Sequence, residues 1–122
     1  MNIKVMKECY GYLFEIENLL RYFVENNMAK QYGLNWKSIA FRVNKNNLTR
    51  KDFKSLYFHE LISYVMSFEF LKIQLQDKYI KRLINLNEIR NKIAHCHYLD
   101  EREVNNLYSL HYELTREYIF YE

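Results

Sequence analysis

The chain has 122 residues, which suits one domain with a single buried core and leaves no room for a second. Because 49% of the residues are hydrophobic and 17% are aromatic, intrinsic disorder is excluded: there is enough apolar surface to offset the entropy of the chain. Pro is absent and Gly occurs only twice, which disfavours an all-β fold and favours long helices. We therefore expect one all-α domain over residues 1–122.

The net charge of +3 is compatible with binding to a polyanion, although it does not require it. Cys9 and Cys96 form neither a disulfide framework nor a zinc-binding pattern, so we expect free thiols in a reducing compartment. The first eight residues lack the apolar run of a signal peptide, and no segment resembles a membrane span. These features predict a soluble, cytoplasmic protein that does not interact with a membrane.

The first predicted helix runs from about Lys4 to about Gln31, because apolar residues recur there at spacings of three and four. Gly33 is well placed to end it. The apolar stripe consists of Val5, Cys9, Tyr12, Ile16, Leu19, Leu20 and Phe23. From residue 34 to residue 47 the pattern loosens, and we interpret this segment as a partly helical connector.

The second predicted helix begins at Thr49, which is followed by Asp52 three residues later, as at a capped helix start. We expect this helix to end near Ser67. The periodicity then blurs over residues 67–74. A third helix follows and continues to about His97, with one apolar side made of Tyr79, Leu83, Leu86, Ile89 and Ile93.

Asp100 and Glu103 repeat the capping pattern and begin a fourth predicted helix. Its apolar stripe consists of Val104, Leu107, Tyr108, His111, Leu114 and Tyr118. Four helices joined by short connections predict an up-and-down four-helix bundle.

The third predicted helix carries a line of polar side chains. Successive residues of a helix are rotated by about 100°, so Glu88, Asn91 and His95 share one face, roughly opposite the apolar stripe. Arg90 lies on the flank between the two faces. Taken alone, an arginine and a histidine at this spacing are more often an ordinary solvated surface than a functional site.

The run from Leu86 to His95 nevertheless resembles the signature of the HEPN superfamily, in which an arginine and a following polar residue precede a histidine. Here Arg90 is followed by Asn91, and four residues separate Arg90 from His95. Residues 13–23 and 32–36 also look like the opening helix and turn of one HEPN branch. That branch is named for a yeast nuclear endoribonuclease that carries such a domain at its C-terminus.

This resemblance implies a helical bundle that commonly forms a homodimer, with two Arg/His motifs meeting in a cleft that in many members cuts RNA without a metal ion or other cofactor. The chemistry suits the residue types. His95 can move protons near neutral pH, and Arg90 can hold phosphate oxygens through its planar, permanently charged group. We assign Asn91 to orienting the phosphate or His95, and Glu88 to supporting Arg90 or the imidazole.

Basic residues precede and interrupt the motif. Lys81, Arg82 and Lys92 would help draw RNA to the cleft, and as an equal alternative they are a solvated helix face. A metal site at His95, Cys96 and His97 is not expected, because consecutive helical residues point about 100° apart. We interpret His59 and His111 as buried, hydrogen-bonded histidines rather than catalysts.

Two functions therefore compete. The first is a metal-independent endoribonuclease that serves as a toxin or phage-defence effector, cuts tRNA or mRNA, and is regulated by an antitoxin or another protein. The second is a non-catalytic module that binds RNA, a nucleotide or a protein in a toxin–antitoxin system or a conflict between phage and bacteria.

Overall fold

The computed structural model describes residues 2–117, and this part of the chain is helical and contains no β-strand. Within these residues the α-helices are α1 (Ile3–Tyr32), α2 (Trp36–Asn44), α3 (Phe58–Ser67), α4 (Glu69–Leu75), α5 (Asp77–Ala94) and α6 (Glu101–Leu114). A 3₁₀ turn spans Phe53–Ser55. The predicted all-α fold class is confirmed, whereas the predicted stripe residue Tyr118 lies outside the described residues.

The four longest helices contact one another in a ring, in the order α1, α3, α5, α6 and back to α1. They correspond to the four helices predicted from the sequence. The structure adds α2, which lies in the segment predicted to be a partly helical connector, and α4, which the prediction did not separate from its surroundings. Each of these short helices buries only two of its side chains, so no apolar period could be recognised in the sequence.

Helix α1 is bounded by the residues expected from helix chemistry. At its start the side chain of Asn2 accepts a hydrogen bond from the N–H of Val5 (2.9 Å), and at its end the N–H of Gly33 donates to the carbonyl of Ala29 (2.8 Å). Gly33 has φ +84°, which glycine adopts without a steric penalty. Both ends lie within one residue of the prediction. The buried side of α1 consists of Cys9, Leu13, Ile16, Leu20, Phe23, Val24 and Met28.

The predicted start of the second helix at Thr49 is wrong. The hydroxyl of Thr49 accepts a bond from the N–H of Lys51 (3.3 Å) in a local turn. Helix α3 begins nine residues later, where the carboxylate of Glu60 accepts the N–H of Tyr57 (2.9 Å). The reason is that Leu56 is extended (φ −66°, ψ 138°), which interrupts the helical path and lets Leu56 and Phe58 both be buried although they are only two residues apart.

Helix α5 ends earlier than predicted, at Ala94 rather than near His97. Two backbone bonds close its last turn, from the N–H of Cys96 to the carbonyl of Ile93 (3.1 Å) and from the N–H of His97 to the carbonyl of Lys92 (2.8 Å). This is the Schellman motif, in which the residue after the C-cap adopts the left-handed conformation. Cys96 holds that position with φ +59°.

The Asp100 cap of α6 is confirmed. The N–H of Glu103 donates to the Asp100 carboxylate (2.8 Å), and the N–H of Asp100 donates to the Glu103 carboxylate (3.0 Å). The two caps therefore leave only a short exposed segment between α5 and α6, anchored by buried Leu99. None of the helices in residues 2–117 combines the length and the apolar character that crossing a bilayer requires.

The left-handed residue at the end of α5 generates a stability prediction. We expect Cys96→Gly to raise the free energy of unfolding by about 1 kcal/mol, because glycine removes the steric cost of the left-handed conformation. Cys96→Val should lower it, since a β-branched side chain tolerates that conformation poorly. Chemical denaturation under reducing conditions measures both changes. Equal stabilities of the glycine and valine variants would contradict the assignment.

Candidate active site at the end of α5

Arg90 lies in a shallow groove between α1 and the last turns of α5. The groove is lined by Tyr10, Phe14 and Glu17 from α1, among others. The side chain of Arg90 is about one quarter exposed, with its Nε 3.7 Å from a carboxylate oxygen of Glu17 and its guanidinium carbon 6.0 Å from the centre of the Tyr57 ring. Arg90 is thus held as a cation between an acid and an aromatic face.

Glu17 is itself fixed by a second arginine. Its other carboxylate oxygen lies 3.5 Å from a terminal nitrogen of Arg21. Arg21 in turn donates to the carbonyl of Leu56 (2.8 Å) and to the side chain of Asn18 (3.0 Å). The carboxylate that faces Arg90 is therefore anchored to α1 and to the segment that precedes α3.

The contact between Arg90 and Glu17 is an ion pair and not a hydrogen bond, because 3.7 Å is beyond the range of N–H···O bonds. Among residues 2–117, no acceptor lies within hydrogen-bonding geometry of the Arg90 guanidinium. Its N–H groups remain available to an oxyanion such as a phosphate, while the charge is already positioned.

Glu88, Asn91 and His95 are exposed. His95 follows the last residue of α5, and its N–H donates to the carbonyl of Asn91 (3.0 Å). The backbone of the motif is therefore held by a helical hydrogen bond. In the described part of the chain, no hydrogen bond or ion pair joins Arg90 to Asn91 or His95. One copy of the chain therefore presents Asn91 and His95 outward, and it holds Arg90 in a separate groove.

Glu88 does not provide the carboxylate beside Arg90. Its charge contributes to a raised pKa of Lys92, after the larger effect of Glu103, whereas the acid next to Arg90 is Glu17. Sequence reasoning missed both Glu17 and Tyr57. The spacing of Glu17 and Arg21 shows that they share one face of α1, but only the folded structure shows that Arg90 extends from α5 to this pair.

Two of the three predicted RNA-binding cations link α5 to α6. The ammonium of Lys92 lies 2.8 and 2.9 Å from the carboxylate oxygens of Glu103, and this bond raises the pKa of Lys92. Arg82 is paired with the carboxylate of Glu113. Lys81 is exposed.

The other histidines differ from one another. The interpretation of His59 as a buried residue is wrong, because its side chain is exposed in the first turn of α3. His111 is half-buried, with its ring 4.6 Å from that of Tyr12. Its Nε2 lies 3.3 Å from the Glu15 carboxylate but forms no hydrogen bond within the described residues, so the prediction of a hydrogen-bonded histidine is wrong for this nitrogen. Within residues 2–117, no three His, Cys, Asp or Glu side chains are grouped so that they could hold a metal ion.

The described helices form an all-α ring, and an Arg-Asn-x-x-x-His run lies at the end of α5. Both features are expected of a HEPN domain. Residues 12–116 match the family described as Swt1-like HEPN, and the chain belongs to this family. No curated protein sequence and no solved structure matches the chain.

The ion pair between α5 and α6 can be tested by its effect on stability. We expect Lys92→Met to lower the melting temperature, because the variant leaves the Glu103 carboxylate without its cation. Lys81→Met is the matched control, since Lys81 lies on the same helix and is exposed. Differential scanning calorimetry at low salt makes the comparison. Equal melting temperatures for the two variants would mean that the pair contributes nothing.

Proposed function

We propose that this chain is an endoribonuclease that cleaves RNA by attack of the substrate's own 2′-hydroxyl, with Arg90, Asn91 and His95 as its active-site residues. The observation that carries the proposal is the state of Arg90. Its charge is held in place 3.7 Å from Glu17, and in the described chain its N–H groups have no hydrogen-bond acceptor. Membership in the HEPN family supports an RNA-directed role.

The reaction needs only groups that the motif supplies. His95 accepts the proton of the 2′-hydroxyl, and the oxygen attacks the adjacent phosphorus. The bond from phosphorus to the 5′-oxygen breaks, and that oxygen takes a proton as it leaves, from the His95 imidazolium or from water. The products are a 2′,3′-cyclic phosphate and a 5′-hydroxyl end. Arg90 binds the phosphate oxygens as their negative charge grows, and Asn91 orients them.

Two copies of the chain are needed to complete this site. His95 is five residues after Arg90, which corresponds to a rotation of roughly 140° around a helix, so one copy directs the two side chains differently. An exposed histidine also requires a second wall to exclude water and orient a phosphodiester. We propose that Arg90 of one copy faces His95 of the second copy across a two-fold axis.

Replacement of either residue should remove activity without unfolding the protein. We expect His95→Ala and Arg90→Ala each to reduce cleavage of tRNA or total RNA by at least about 100-fold in excess chelator, because each removes a group that acts on the phosphodiester. His59→Ala, which changes an exposed histidine outside the motif, should cleave like the wild type. Gel analysis with identification of the product ends measures this, and circular dichroism verifies the fold. Full activity of a folded His95→Ala protein would refute the assignment.

Glu17 is a positioning residue in this proposal, because it touches Arg90 and not the substrate. Glu17→Gln should lower kcat by about tenfold with a smaller effect on KM, since Arg90 would no longer be oriented for the transition state. Glu25→Gln, at an exposed acid of the same helix, is the matched control. If Glu17 merely neutralised Arg90, the variant would bind RNA more tightly at unchanged kcat, and its positioning role would be excluded.

A second candidate function is a non-catalytic binding module. It is favoured by the separation of Arg90 from His95 within one copy, which leaves a single chain without an assembled catalytic site. Such a module would keep its affinity for RNA after His95→Ala and would release no product before or after the change. Under either function, the natural setting we propose is a toxin–antitoxin or phage-defence system, with a regulatory protein as a further partner.

A further inference from the structure

A second, larger cleft lies next to the groove of Arg90. It is formed by the first turns of α1 and by the segment that joins α5 to α6, and its volume is about 1010 Å³. Tyr10 and Ile93 line both the cleft and the Arg90 groove, so the two are adjacent. A ligand bound at Arg90 could therefore extend into this cleft.

The chemistry of the cleft is aromatic and basic. Tyr10 and Tyr98 are 61% and 78% exposed, so both rings present apolar surface to the solvent in this cleft. Lys4, Lys7 and His97 also line the cleft, and none of its lining residues within 2–117 is acidic. Exposed rings beside cations are the combination that proteins use to bind unpaired nucleotides, because the rings stack on bases and the cations bind phosphates.

We propose that this cleft is a nucleotide subsite for single-stranded RNA, which stacks an unpaired base on Tyr98 and Tyr10 and binds the adjoining phosphate through Lys4 and Lys7. The inference rests on the proposed function, because it places the nucleotide next to the phosphate held by Arg90. It also specifies the substrate class: the RNA must be unpaired at this position, since bases stacked inside a duplex cannot reach the tyrosines.

The charge of the cleft favours RNA over a second copy of the chain as its occupant. In a two-fold symmetric contact the same patch forms both sides of the interface. A contact centred on this cleft would bring Lys4 and Lys7 close to the same two lysines of the second copy and desolvate them, with no acid among the described lining residues to neutralise the charge. A polyanion instead neutralises both lysines and releases its own counterions.

The base-stacking part can be tested by binding measurements in the full-length His95→Ala protein, which should not cleave the probe. Fluorescence anisotropy would follow a short, fluorescently labelled single-stranded RNA. Tyr98→Ala should weaken binding by about tenfold, and Tyr98→Phe should restore it, because phenylalanine retains the stacking face. Tyr22→Ala is the matched control, at an exposed tyrosine of α1 outside the cleft, and it should change nothing.

The phosphate-binding part predicts a change in salt dependence. For single strands, each phosphate contact contributes a slope of about −0.7 to the plot of log affinity against log salt concentration. Because Lys4 and Lys7 bind one phosphate in this proposal, the double variant Lys4→Ala/Lys7→Ala should reduce the steepness of this plot by about 0.7. Lys30→Ala should leave it unchanged, because Lys30 is roughly 40 Å further along α1. An unaltered slope in the double variant would overturn the phosphate assignment.

Four further results decide between the proposals. Equal affinity of the Tyr98→Ala and Tyr22→Ala proteins for single-stranded RNA would overturn the subsite. The subsite would also be overturned if Tyr98→Ala weakened binding to a blunt duplex as much as it weakened binding to single-stranded RNA. Weaker self-association of Tyr98→Ala with unchanged RNA affinity would show that the cleft is an interface between copies. Tyr98-dependent binding without any cleavage of RNA by the wild-type protein would retain the subsite and refute the proposed catalytic function.

Discussion

The rotation of α5 about its own axis is the constraint on which the candidate site depends. Helix α5 packs against α3, α4 and α6, and its buried side consists of Tyr79, Ile80, Leu83, Leu86 and Ile89. Each fully buried leucine or isoleucine contributes about 1.5–3 kcal/mol, whereas exposed ion pairs contribute about 1 kcal/mol or less. Packing therefore determines which way α5 faces, and the charged residues take the partners that this orientation offers.

Once α5 is oriented, its polar residues separate into three groups. Lys92 and Arg82 face carboxylates of α6, Arg90 reaches Glu17 on α1, and Asn91 and His95 face outward. The Schellman turn then holds His95 at the end of the helix. In our account, the separation of the phosphate-binding cation from the proton-transfer group is what makes a second copy necessary.

Features with a local cause could be predicted from the sequence. The all-α class was predicted from the scarcity of Gly and Pro. The ends of α1 were predicted from its apolar stripe and Gly33, and the start of α6 was predicted from the Asp100–Glu103 pair. The exposed line of Glu88, Asn91 and His95 followed from helix geometry alone. Membership in the HEPN family agrees with the resemblance carried by the motif.

Features that depend on distant contacts could not be predicted. Thr49 and Asp52 are spaced as at the start of a helix. The chain after them nevertheless does not form an α-helix, because Phe53 and Leu56 are buried through a 3₁₀ turn and an extended residue. The end of α5 depends on Cys96, which adopts a conformation usually taken by glycine. Because no glycine stands there, the sequence contains no signal for the end of this helix. The role of Glu17 could be recognised only from the folded structure, in which its carboxylate on α1 lies next to Arg90 of α5.

The claim that each site combines Arg90 of one copy with His95 of the second is tested most directly by mixing two inactive proteins. The Arg90→Ala and His95→Ala variants would be unfolded together, refolded as a mixture, and assayed for cleavage of single-stranded RNA in excess chelator. Half of the dimers would then be mixed, and one of their two sites would be intact, so the account predicts about one quarter of the wild-type activity. A mixture as inactive as its separate components would contradict a site shared between two copies.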